Sequence, residues 1–84
     1  MSQTHITLAE ALDMMADAFN EPLANVQPET ARDSIPGWDS MGALMLIAEL
    51  DERFGIELSA EASRQMRSVQ HVLDFLAQHG VLSA

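Results

Sequence analysis

The sequence predicts an all-α protein: a small four-helix bundle, three main helices plus a short third helix, with a long loop between helices one and two. Three observations point there. Apolar residues recur at steps of three and four in separate stretches, the spacing that lines one face of a helix. Ser, Thr or Asp precedes each stretch, as expected of residues that satisfy the free amide groups of a helix start. The order of stretches, a helix, a long crossover, a second helix, a short helix and a final one, suits elements that each bury a single stripe against the others.

Helix one is expected to start at Thr7, where Thr7 and Glu10 have capping-box spacing. Leu8, Leu12, Met15 and Phe19 form its predicted apolar stripe, and Glu10, Asp13 and Asp17 its acidic one. It should end near Asn20, because Pro22 disfavours helical geometry at Glu21 and cannot continue the hydrogen-bond ladder. From Glu21 to Asp39 the period disappears among Pro22, Pro28, Pro36 and Gly37, with Leu23, Val26, Ile35 and Trp38 as scattered apolar anchors. Trp38 is expected to pin this loop. Helix two should start at Asp39 or Ser40 and run through Leu44, Ile47, Leu50 and Phe54 to Gly55. Ile56, Glu57 and Leu58 alternate as a short extended link. Ser59 and Glu61 open a brief third helix reaching towards Met66, and Ser68 caps a last one whose buried stripe is Val69, Val72, Leu73 and Leu76, with a stop at Gly80.

The 84 residues make one domain, residues 1–84, near the lower limit for a single apolar core without staples, so a large internal active site is not expected. With no cysteine, the polypeptide has no disulfide, no thiolate zinc site and no thiol nucleophile of its own. Any sulfur chemistry would have to be imported. Thirteen Asp and Glu against four Arg give a net charge of −9, which repels nucleic acid and anionic lipid surfaces and favours basic partners. The longest apolar run, Ala43 to Ala48, is far below the roughly 20 residues that span a bilayer, so no membrane insertion is expected. The N-terminus, Met-Ser-Gln-Thr-His, lacks a basic segment followed by an apolar one, and the expected location is the cytoplasm.

Gly37-Trp38-Asp39-Ser40-Met41 puts a serine hydroxyl at a helix N-terminus, after a glycine and a large aromatic anchor. Unpaired amides and the positive helix end stabilise an anion there by roughly 0.3–1 kcal/mol. Taken alone, such a serine is more often only a cap.

Three separated motifs add to it. Asp39-Ser40-Met41 resembles the Asp-Ser-Leu signature of acyl and peptidyl carrier proteins, with Met41 replacing leucine. Leu50 through Leu58 resembles the family's leucine, acidic turn, phenylalanine and following Ile-Glu-Ile, and Ser68-Val69-Gln70-His71-Val72 is similar to its Thr-Val-Gln-Asp opening of the last helix. The resemblance covers most of the chain. It implies a 4′-phosphopantetheine arm joined through phosphate to Ser40, whose terminal thiol holds acyl groups as thioesters. The chain would then be a carrier and not an enzyme, with no catalytic residue. Its partners would be a phosphopantetheinyl transferase, which Asp39 helps to recognise the site, and the enzymes that load and accept the acyl group. Met41 would sit at the arm's root and touch those enzymes. Where fatty-acid carriers have acidic residues on the first turns of helix two, this chain has Gly42 and Met45. The expectation is that partners grip a patch formed by Gly42, Met45, Glu49 and Glu52, and that the pathway is a specialised one.

The chain starts at Met1 and ends four residues past Gly80, so a free-standing, monomeric carrier is expected. The competing class is a helical adaptor without prosthetic group, in which Ser40 only caps its helix. A Ser-His-Asp hydrolase through Ser40, His71 and Asp74 is disfavoured, because Trp38 stands where the nucleophile elbow requires glycine. His5, His71 and His79 lack metal-ligand spacing. Of the six methionines, most are expected to fill the core.

Overall fold

The computed structural model describes residues 5–83. The leader reading at the N-terminus rests largely on residues 1–4, and the free-standing reading on Met1 and Ala84; these lie outside the described residues. The chain forms α1 (Leu8–Phe19), a long connection with short 3-10 turns at Leu23–Asn25 and Arg32–Ser34, α2 (Ser40–Phe54), α3 (Ala60–Gln65) and α4 (Val69–Gln78). This is the predicted helical bundle, and no helix among the described residues is long and apolar enough to cross a membrane.

Local chemistry sets each boundary. The capping box is reciprocal: the Thr7 amide donates to Glu10 Oε1 at 2.9 Å and the Glu10 amide to Thr7 Oγ1 at 3.1 Å. Asn20 closes α1 in the left-handed region at φ 54°, its amide donating to the Ala16 and Asp17 carbonyls. Gly55 closes α2 in the same way at φ 66°. The Ser59 and Ser68 hydroxyls accept from the amides of Ala62 and His71. α3 stops at Gln65, with Met66 as its cap.

The core gathers Met14, Met15, Phe19, Leu46, Leu50, Val69, Val72 and Leu76, all fully buried. Burying each large apolar side chain contributes about 1.5–3 kcal/mol. The α4 stripe is buried as predicted, but two others are turned. On α1 the buried face is Ala11, Met14, Met15, Ala16, Ala18 and Phe19; Leu8 is 45% exposed and Leu12 only partly buried. The small residues Ala11, Ala16 and Ala18 share that buried face with the large ones. On α2 the buried row is Gly42, Leu46 and Leu50, four residues apart, while Leu44 is 58% exposed and Ile47 and Phe54 are partly buried.

The long connection is anchored at Val26, Ile35 and Trp38, whereas Leu23, expected as a fourth anchor, is exposed. It also pairs with the start of α4. The Arg32 amide donates to the Arg67 carbonyl at 2.8 Å and the Val69 amide to the Thr30 carbonyl at 3.0 Å, an isolated antiparallel bridge at Ala31 and Ser68. A parallel bridge joins Ile6 to Leu82 and ties the two ends of the described chain together.

Candidate functional site

Asp39, and not Ser40, is the N-cap of α2: its Oδ1 accepts from the Gly42 amide at 2.9 Å. Ser40 is therefore the first helical residue, exposed, and its hydroxyl takes part in none of the side-chain hydrogen bonds among the described residues. Capping and hydroxyl availability are thus divided between neighbours. A serine that only capped its helix would use its oxygen for the cap; this one leaves it to solvent.

The ground under Ser40 is closely packed. Trp38 stacks on Phe19 with ring centroids 4.6 Å apart and planes 15° from parallel. The Arg32 guanidinium lies 5.2 Å from the Trp38 ring centroid, in cation–π range. From there Arg32 donates through Nε to the Trp38 carbonyl at 3.4 Å and through Nη1 to the carbonyls of Ser63 at 3.1 Å and Met66 at 3.3 Å. One side chain thus clasps the loop before Ser40 to the C-terminal end of α3, where exposed carbonyls attract a cation. Sequence reasoning identified Trp38 as the pin but missed Arg32; the signal available was its place as the lone cation between Glu21 and Asp39.

Gly42 corrects an expectation. It is buried, and a Cβ there would run into the Gly37 carbonyl oxygen and stand 3.2 Å from Phe19 Cδ1. It lies beneath the Gly37 carbonyl and offers little surface of its own, while lining a hollow with Met41 and Met45; glycine is there because the loop passes over it. Met45 is 49% exposed and Met41 68%, and together with Leu44 they make an apolar surface beside Ser40. Glu49 is partly buried and paired with Arg53 at 2.8 Å, and Glu52 is exposed. Met14, Met15 and Met66 fill the core as expected, but Met41 and Met45 do not.

Between α2 and α3 runs a cleft of about 220 Å³ that has Ser40 in its lining. Ala43, Leu44 and Ile47 border it from α2, Ala60 and Ser63 from α3. His71 accepts a hydrogen bond at Nδ1 from the Arg67 amide at 2.9 Å, and His79 packs against Phe75; neither stands in a cluster with Ser40.

No family model matches the chain. It is 33% identical over 76 residues to the acyl carrier protein of Thermosynechococcus vestitus, covering 90% of this chain and 93% of that one. It belongs to the acyl carrier protein family. The acyl carrier protein of Rubrobacter xylanophilus is 29% identical over 73 residues, 86% of this chain and 89% of that one. That of Solidesulfovibrio magneticus is 30% identical over 64 residues, 76% of this chain and 82% of that one. Acyl carrier proteins are carriers and not enzymes.

Proposed function

We propose that this acyl carrier protein bears a 4′-phosphopantetheine arm on Ser40 and delivers thioester-bound acyl groups to the enzymes of a dedicated biosynthetic pathway, in the cytoplasm and as a monomer. The observation that carries the reading is the division of roles at the start of α2: Asp39 takes the cap and Ser40 is left exposed with its hydroxyl unengaged. The group fits the residues present. A phosphodiester on Ser40 Oγ would stand at a helix N-terminus, where the first-turn amides and the helix dipole favour an anion by roughly 0.3–1 kcal/mol. The arm would supply the thiol that a chain without cysteine lacks.

The chain's own residues have three tasks in this reading. Asp39 holds the first turn in register and offers a carboxylate to the phosphopantetheinyl transferase. Gly42, packed under the Gly37 carbonyl, and Trp38, stacked on Phe19, keep the attachment point fixed while the arm swings. Met41, Leu44 and Met45 present apolar surface beside the root, and Glu52 a charge further along the same helix, for the enzymes that load and accept the acyl group.

The test is modification itself. Incubation with a phosphopantetheinyl transferase and coenzyme A should add one phosphopantetheine to wild type by intact mass and nothing to Ser40→Ala. A folded wild type that stays unmodified would refute the reading.

A further inference from the structure

With six methionines and no cysteine, the chain carries all of its sulfur as thioethers. The structure divides them sharply. Met14, Met15 and Met66 are 6% exposed or less and sit among the core side chains, whereas Met41 and Met45 are 68% and 49% exposed. Peroxide has to touch the sulfur to oxidise it, so the exposed pair reacts first and the buried three are sheltered for as long as the chain stays folded.

The exposed pair stands where such a change has consequences. Met41 follows Ser40 directly and Met45 lies one helical turn beyond Met41, and both border the hollow where the C-terminal end of α1 meets the start of α2. With Leu44 they are the exposed large apolar side chains of α2. An enzyme that reaches the Ser40 hydroxyl comes within one residue of Met41 and has to cover this surface to fit there. Oxidation transfers one oxygen atom from hydrogen peroxide to the sulfur: the O–O bond breaks, an S–O bond forms, water leaves, and the sulfur gives up the two electrons that the peroxide gains. A flexible apolar side chain becomes a polar one, which is costly to bury against an apolar partner surface. Neither Met41 nor Met45 belongs to the core cluster, so the fold survives the change.

We propose that Met41 and Met45 form a reversible oxidation site through which peroxide switches off capture of this carrier by the enzymes that act at Ser40. The inference rests on the reading of Ser40 as the tether and of the two methionines as partner-facing. Reversal needs an external reductant, since the chain has no thiol of its own. A dithiol reductase removes the oxygen as water, is itself oxidised to a disulfide, and leaves the thioether as it was.

Unmodified protein is treated with hydrogen peroxide, and its methionine peptides are followed over time by mass spectrometry. Met41 and Met45 should each gain one oxygen at least about tenfold faster than Met14, Met15 and Met66, and urea should bring all five to similar rates. Protein oxidised at Met41 and Met45 should keep its helical circular dichroism. Its initial rate of modification by a phosphopantetheinyl transferase and coenzyme A, below saturating carrier, should fall about tenfold, and methionine sulfoxide reductase should restore it. The double variant Met41→Leu, Met45→Leu keeps the surface apolar without sulfur, so peroxide should leave that variant's own rate unchanged; it also controls for oxidation at Met1. Even oxidation of all five methionines in the folded protein, an unchanged rate after oxidation, or an equal loss on peroxide treatment in the double variant would overturn the inference while leaving the tether intact. Absence of any mass gain in untreated wild type would instead defeat the tether and the inference with it.

Discussion

Gly42→Ala separates two opposed expectations. Helix propensity alone favours alanine over glycine in a helix interior by about 1 kcal/mol, so on an open surface the change would stabilise. In this protein a Cβ at position 42 meets the Gly37 carbonyl oxygen, with the Gly37 carbonyl carbon at 3.1 Å and Phe19 Cδ1 at 3.2 Å. Two of these three atoms are backbone and cannot rotate away. Relief requires the loop to rise from α2, which loosens the Phe19–Trp38 stack. Overpacking of this kind costs about 1–3 kcal/mol, and contact with backbone belongs at the upper end. Subtracting the propensity gain leaves a net loss of about 2 kcal/mol, or about 8–16 °C in Tm for a domain of this size. Circular dichroism melts of Gly42→Ala beside Ala48→Gly, an exposed site on the same helix, provide the comparison. Ala48→Gly should lose about 1 kcal/mol from propensity alone. A Gly42→Ala melt at or above the wild-type temperature would refute the packing argument and return Gly42 to the surface.

Substitutions at three further positions test the local chemistry, Asp39 and Arg32 near Ser40 and Gly55 at the far end of α2. Asp39→Ala removes the acceptor for the Gly42 amide and should cost about 1 kcal/mol in urea unfolding, whereas Asp39→Asn keeps the cap and the stability; if the carboxylate is read by the transferase, Asp39→Asn should still slow modification of Ser40, and equal rates would remove that role. Arg32→Lys loses the fork that reaches the Trp38, Ser63 and Met66 carbonyls and should cost about 2 kcal/mol, so an unchanged urea midpoint would show the clasp to be energetically idle. Gly55→Ala meets no atom within 4 Å but forces a side chain to φ 66°, and thermal melts should show a loss of about 1 kcal/mol from backbone strain alone.

Helix starts and stops were legible in the sequence because their chemistry is local. Thr7 with Glu10, Asn20, Asp39, Gly55, Ser59 and Ser68 each act within a turn of where they stand, and each marks a boundary in the structure. Helix rotation was less legible. Leu8 and Leu44 count as apolar in any periodicity, yet both are exposed, while the small residues Ala11, Ala18 and Gly42 are buried. Smallness carries little weight in a pattern of large apolar residues. The bridges Ala31 to Ser68 and Ile6 to Leu82 join segments far apart in sequence through backbone groups that every residue has, so no side-chain pattern announces them. Ser40 was found by motif; that Asp39 takes the cap and frees its hydroxyl needed geometry.

That freedom only helps a tether if the root itself does not wander. A long flexible arm spreads its end over many positions, and any play at the attachment point adds to the entropy lost when a partner captures the end. With Ser40 as the proposed root, the residues flanking it limit that play from three sides: Asp39 caps the first turn of α2, Gly42 packs that turn beneath the loop, and the Trp38 ring lies between Phe19 and the Arg32 guanidinium. The same three contacts bring Met41, Leu44 and Met45 outward, where burial against the helix bundle would otherwise have drawn such large side chains in. Close packing under the hydroxyl and apolar exposure beside it are consequences of one packing arrangement, so a change at Gly42 or Arg32 should disturb partner handling even though neither residue is itself an exposed part of the surface patch.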